Sequence, residues 1–92
     1  MSEIWRYKLL VRGYSDFDMP INSKIISVGL KRVGDQEDIT LWAEVNPVGK
    51  KEKRRFLVVF TGDSFNPEPL KFLGTCVTSY GIVSHVYEIM GV

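Results

Sequence analysis

The sequence has little of what metal sites and most enzyme centres require. Among its 92 residues there is one cysteine, Cys76, and one histidine, His85. A single cysteine excludes an internal disulfide and any zinc site built from several cysteines, and a single histidine excludes His-rich metal sites. We therefore expect no metal, no cofactor and no enzymatic activity.

Long apolar runs and an excess of one charge are also missing. No stretch approaches the ~18 apolar residues that span a bilayer, and the first residues, MSEIWRYK, carry charges where a signal peptide needs an apolar core. A net charge of +1 gives no overall attraction to nucleic acid or membranes. Since no repeat or linker is visible, we expect one small β domain over residues 1–92, soluble, cytoplasmic and without membrane contact.

What the chain does contain is alternation of apolar and polar residues, which is typical of half-buried strands. Between the strands lie Gly-, Pro- and Asn-containing turn signals, and Phe17–Pro20 is expected to be at most a short edge piece. At most one short helical turn is predicted near Pro67. The predicted fold is all-β, an antiparallel meander of five to six strands forming a curled sheet or small barrel. The main predicted strands cover residues 4–11, 24–33, 39–45, 54–61, 71–78 and 82–89.

The segment 39–61 is predicted to be a central hairpin. Its first strand has apolar residues at odd positions and its second at even positions, so each has one apolar face. Antiparallel pairing of those faces sets Ala43 opposite Phe56, and on the reverse face it sets Glu44 opposite Arg55. The strand before it is expected to join through a four-residue loop, Gly34–Glu37, and that register lays Trp42 across from Gly29.

The last predicted hairpin has Tyr80-Gly81 as a two-residue turn, and its register also has Tyr87 covering Gly74. It sets Cys76 opposite His85, the one pair in the chain that could support nucleophilic catalysis. A three-residue loop would separate the pair, and neither an oxyanion element nor a third group is recognisable. Because a cysteine on a sheet is more often a small core residue, we do not expect an enzyme.

Five cations in six positions form a basic segment, Lys50–Arg55, at the end of the loop Asn46–Lys53 in the central hairpin. Exposed cations on a protruding loop can contact phosphates or an acidic protein surface, although charge runs are more often simply solvated. Arg55 is expected to pair with Glu44. The candidate binding residues are Lys50, Lys51, Lys53 and Arg54.

An acidic group, Asp35, Glu37 and Asp38, lies in and beside the neighbouring hairpin loop. Its spacing matches no calcium-binding loop, so a metal is not expected. These carboxylates are either solvated or a second candidate contact with a partner protein. The opposite charge of the two groups favours oriented docking over indiscriminate binding to polyanions.

Several short signatures occur in order over nearly the whole chain. They are Trp5-Arg6-Tyr7, Met19-Pro20, Ile25–Val28, Leu41–Pro47, Arg55-Phe56, Thr61-Gly62, Phe72–Thr75 and His85–Glu88. The clearest pieces are LWA.V.P, FLGT and HVYE. Together they resemble a family of small uncharacterised all-β proteins encoded by bacteriophages and prophages. The resemblance implies no activity, cofactor or site residue.

The phage context implies an accessory protein that acts by binding a host protein. We therefore expect the protein to act by protein–protein contact. An example would be inhibition of a host defence factor such as a CRISPR effector. The alternative is a nucleic-acid-binding module that uses the basic segment. An unpaired first or last strand could also pair with its own copy in a homodimer.

Overall fold

The computed structural model describes residues 1–91, which form seven β-strands and no helix. The all-β class is confirmed, whereas the strand count of five to six is wrong. At most one short helical turn was predicted near Pro67, and none forms there. The strands are β1 (Glu3–Lys8), β2 (Gly13–Pro20), β3 (Lys24–Val33), β4 (Gln36–Val45), β5 (Lys51–Phe60), β6 (Leu70–Val77) and β7 (Val83–Ile89).

The strands form two separate antiparallel sheets, so the single curled sheet or barrel was a wrong prediction. One sheet has the order β1-β4-β3 and the other the order β2-β5-β7-β6. Their inner faces meet in one apolar core, in which Leu41 and Ala43 come from the first sheet, and Phe56 and Val58 from the second. The fold is therefore a small sandwich.

The predicted central hairpin is the largest error, because β4 and β5 lie in different sheets. β4 pairs with β1 and β3, and β5 pairs with β2 and β7. Ala43 and Phe56 do share a core, but they belong to opposite layers of the sandwich and are not cross-strand neighbours. Alternation shows which face of a strand is buried, and two such faces can meet either side by side or across a core.

One partner of β5 is β2, in a region predicted to be connecting structure with a short edge piece. Gly13–Pro20 forms an eight-residue edge strand whose outward residues include Asp16 and Asp18. Because aspartate is disfavoured in strands, the sequence pattern did not predict a strand here. Here the carboxylates stand opposite the cations Arg55 and Lys53 on β5, and such pairs stabilise adjacent strands.

The hairpin of β3 and β4 is confirmed, but with a shorter turn than predicted. Gly34 and Asp35 form a two-residue turn, and Gly34 has a φ of 60°, which a type II′ turn requires at its first central position. The shorter turn moves the register, so that Gly29 pairs with Thr40. Trp42 nevertheless lies over Gly29, with a ring carbon 3.5 Å from where a Cβ would stand.

β5 and β6 are joined by a crossover segment, Thr61–Pro69, since β7 lies between them. The segment crosses the outer face of the four-stranded sheet, where the Phe65 ring packs 5.2 Å from the Tyr87 ring. It stays irregular because Pro69 lacks an N–H and disfavours a helical Glu68. In place of a helix there is a single turn near Pro67, in which the Leu70 amide donates to the Pro67 carbonyl at 2.9 Å.

Within residues 1–91 there is no helix long and apolar enough to cross a membrane.

Candidate interaction surfaces

The basic segment lies in strand β5 from Lys51 onward, with Lys50 just before the strand, and most of its cations have partners within the protein. Lys51 Nζ lies 4.9 Å from the centre of the Trp5 ring, a cation–π contact. Lys53 stands opposite Asp18 in the β2–β5 register. Lys50, Lys51 and Lys53 are all exposed, so they form a basic surface beside the carboxylate of Asp18.

Arg55 pairs with Asp16 at 3.0 Å, and its guanidinium stacks 4.6 Å from the centre of the Tyr14 ring. The predicted Arg55–Glu44 pair is wrong, since Glu44 lies in the other sheet. Both members of the observed pair are about half exposed, which makes this a surface ion pair of small energetic value.

Arg54, by contrast, points into the sandwich. Its Nε and second terminal nitrogen donate to the two carboxylate oxygens of Glu88 at 2.6 and 2.8 Å, and its other terminal nitrogen donates to the Ser23 carbonyl. The Arg54 side chain is 16% exposed and that of Glu88 is 9% exposed. Hydrogen bonds to Glu88 raise the pKa of Arg54, so the guanidinium stays charged. Among the four basic candidates, Arg54 is the one committed to the interior.

The acidic group is also largely engaged. Glu37 accepts hydrogen bonds from the Ser79 amide at 2.9 Å and from its hydroxyl at 2.8 Å, and it pairs with Arg32 at 3.2 Å. The Ser79 amide is the main reason why the pKa of Glu37 is lowered. Asp38 pairs with Lys8 at 3.5 Å. Only Asp35, in the exposed turn, stands apart from these pairs.

Cys76 and His85 do not face each other. Cys76 pairs with Ser84, and His85 pairs with Thr75, so the cysteine points into the core and the histidine outward. Burial raises the pKa of the Cys76 thiol, which makes it a poor nucleophile at neutral pH. Within residues 1–91 no group of three or more metal-ligating side chains is found.

His85, on β7, instead connects β6 and the residue that follows β5 through two threonine hydroxyl groups. Its Nδ1 is 3.0 Å from Thr75 Oγ1 and its Nε2 is 2.9 Å from Thr61 Oγ1. The predicted covering of Gly74 by Tyr87 is wrong, because the ring of Tyr87 packs against Phe72 and Gly74 faces Val28 in the other sheet. The closeness of Gly74 to Val28 brings β6 and β3 together.

The surface that sequence reasoning missed is the outer face of the four-stranded sheet. Leu57 and Val59 point away from the core, yet they are only 7% and 6% exposed. Neighbouring strands and the crossover segment shield them. The signal was present in the sequence, since RRFLVVF is apolar on both faces of one strand, but nothing indicated which segment covers the second face.

Between the crossover segment and β2, the outer face contains an open cavity of about 540 Å³, here called the outer-face pocket. Its apolar lining is flanked by two aromatic side chains that remain exposed, Tyr14 at 51% and Phe65 at 39%. The residues that line it include Arg12, Tyr14, Leu57, Val59, Asp63, Phe65, Glu68, Leu70 and Ile89.

Asp63 fixes the start of the crossover segment at one end of this pocket. Its carboxylate accepts a hydrogen bond from the Phe60 amide at 2.8 Å and two from the Arg12 guanidinium, at 2.5 and 3.1 Å. The bond from the Phe60 amide is the main reason why the pKa of Asp63 is lowered. Arg12 is thus neutralised at the pocket and also stacks over the Phe60 ring, 5.0 Å from its centre.

Comparison with curated proteins and with solved structures finds no match to either. A family model does match, over residues 1–90, and its description is a domain of unknown function, DUF7352. The match includes all seven strands and agrees with the expected resemblance to an uncharacterised family. The chain belongs to the DUF7352 family.

Proposed function

We propose that this protein is a small phage-derived binding protein that acts by contact with a host protein, using the outer-face pocket and the aromatic residues beside it. The observation that carries the proposal is a mostly apolar cavity on the outer face of a sheet, flanked by Tyr14 and Phe65. The outer face of a sandwich is ordinarily polar, and exposed apolar patches are characteristic of interaction sites.

The aromatic residues extend the apolar surface past the crossover segment. Phe65 packs on Tyr87, and Phe72, which is 56% exposed, packs edge-on against Tyr87 at 5.4 Å. Aromatic side chains are enriched at the centres of protein interfaces, where a few of them supply most of the binding energy. This row and the pocket form one continuous candidate contact surface.

The pairing of charges also favours a protein partner over nucleic acid. Arg54 is bound to Glu88, Arg55 to Asp16 and Arg12 to Asp63. Cations held by carboxylates are poorly placed to replace the counterions of a phosphate backbone. What remains is a mixed surface with a net charge of +1.

The phage origin and the target rest on the signatures that resemble phage and prophage proteins. A small accessory protein made during infection would act in the host cytoplasm. We propose that it inhibits a host defence factor such as a CRISPR effector. A secondary contact would then come from the acidic group Asp35, Glu37 and Asp38. Within this group, Glu37 and Asp38 already form ion pairs inside the protein, and Asp35 forms none with residues 1–91.

The test is affinity capture from bacterial lysates with a matched pair of variants. Tyr14→Ala removes an aromatic at the pocket, and Tyr80→Ala removes an equally large and more exposed aromatic (86%) at the distant β6–β7 turn. We expect the wild type and Tyr80→Ala to recover the same protein, and Tyr14→Ala to recover at least about tenfold less of it. Recovery of no specific protein across several hosts, or equal recovery by all three, would contradict the proposal.

The alternative function is nucleic-acid binding through Lys50, Lys51, Lys53 and Arg54. It is favoured by the exposure of the three lysines at one end of β5, but Arg54 is unavailable because of Glu88. This function predicts nucleic-acid binding that weakens steeply between about 50 and 200 mM salt. If the Lys51→Glu/Lys53→Glu variant also loses that binding, nucleic-acid binding replaces protein contact as the function.

A further inference from the structure

We propose that the outer-face pocket takes an aromatic side chain from a partner segment in which the neighbouring residue is cationic. The inference rests on the proposed function, because it names the chemistry of the partner for the same site. It is carried by three features of the pocket: its lining, its charge and its position beside an edge strand.

The lining fits an apolar side chain. Leu57, Val59, Leu70 and Ile89 supply aliphatic surface, and the cavity of about 540 Å³ falls within the range of 300–1,000 Å³ typical of ligand sites. At the edge of the pocket the Arg55 guanidinium stacks on the Tyr14 ring, 4.6 Å from its centre. An inserted aromatic ring would bury apolar area and could pack against Phe65.

The charge at the rim favours a cation. Arg12 is neutralised by Asp63, and Arg55 by Asp16, so neither contributes free positive charge. Glu68 lines the pocket and is exposed, and within residues 1–91 it makes no ion pair. The rim therefore carries one uncompensated carboxylate, which a lysine or arginine beside the inserted ring would meet.

The position of the pocket favours a polypeptide over a small molecule. β2 pairs with β5 on one side only among the described strands, and the pocket opens between β2 and the crossover segment. An extended segment can therefore enter along the edge of the sheet and place alternate side chains toward and away from the pocket. A free aromatic compound would contact the apolar lining but would not pair with the Glu68 carboxylate beside it.

Three short peptides test this by two-dimensional ¹⁵N–¹H NMR titration of the full chain: Ac-Lys-Trp-Lys-NH₂, Ac-Glu-Trp-Glu-NH₂ and Ac-Lys-Gly-Lys-NH₂. We expect the first to shift the amides of Gly13, Tyr14, Phe65 and Leu70, to bind about three- to fivefold more tightly than the second, and the third to produce no shifts there. Glu68→Gln should abolish the preference for the cationic peptide.

The matched control is Glu44→Gln, which removes an exposed carboxylate from the other sheet and should leave the preference unchanged. Equal binding of the first two peptides, shifts located elsewhere, or no shifts at millimolar peptide would overturn the inference. The peptide titration and the lysate capture fail independently. If a partner is captured but the peptides show no preference, the proposed function stands and only the inferred aromatic and cationic chemistry of the partner is wrong.

Discussion

Replacing Phe56 by alanine is expected to lower the free energy of unfolding by about 3 to 5 kcal/mol, as large-to-small core substitutions of phenylalanine do. Phe56 is fully buried between the two sheets, and its ring packs 6.0 Å from that of Phe17. A chain of this length has a total stability of only about 5 to 14 kcal/mol. The variant should therefore be close to unfolded at physiological temperature, which urea denaturation followed by circular dichroism would measure.

Phe72→Ala is the matched control, since the same side chain is removed from a position that is 56% exposed. We expect a loss of about 1 kcal/mol or less, from the edge contact with Tyr87. Comparable losses for the two variants would show that Phe56 does not lie between two packed sheets.

Replacing Arg54 by methionine is expected to cost about 3 to 5 kcal/mol, because the nearly buried Glu88 carboxylate is left without its partner. The Ser23 carbonyl also loses its donor. Methionine keeps much of the apolar stem of arginine, so the loss reports the charge and hydrogen bonds more than packing. Denaturant unfolding of the purified variant is the measurement.

The neighbouring arginine provides the control. Arg55→Met breaks a half-exposed pair with Asp16 and should cost about 0 to 1 kcal/mol. The double variant Arg54→Met/Glu88→Met should recover part of the loss, since no unpaired charge is then buried. If Arg55→Met were the more damaging of the two arginine variants, the inward direction of Arg54 would be wrong.

The sequence predicted strands well because alternation is local. β3 was predicted with its observed bounds, Lys24–Val33, and the last strand within one residue. The pairing of strands was predicted poorly. The alternation of apolar and polar residues in β4 and β5 is equally consistent with two neighbouring strands of one sheet and with two strands in sheets that face each other. β2 was missed because its aspartates are stabilised by cations about 40 residues away along the chain, through pairs such as Asp16 with Arg55.

The candidate site shows the same limit. Composition was enough to find the basic and acidic groups, but not to show that Arg54 turns inward to Glu88 while Arg55 stays at the surface. The outer-face pocket could not be predicted, because it forms only where the crossover segment passes over β5 and β7. Tyr14 and Phe65 become neighbours of one cavity through that path alone.

Hydrogen exchange of the protein, alone and bound to the partner that it captures, is the most direct test of the proposed contact surface. We predict slower exchange on binding in residues 12–14, 57–59 and 63–70, which line the outer-face pocket, with little change elsewhere. If exchange slowed only in the basic segment at Lys50–Arg55, or only in the three-stranded sheet, the result would contradict the proposed contact surface.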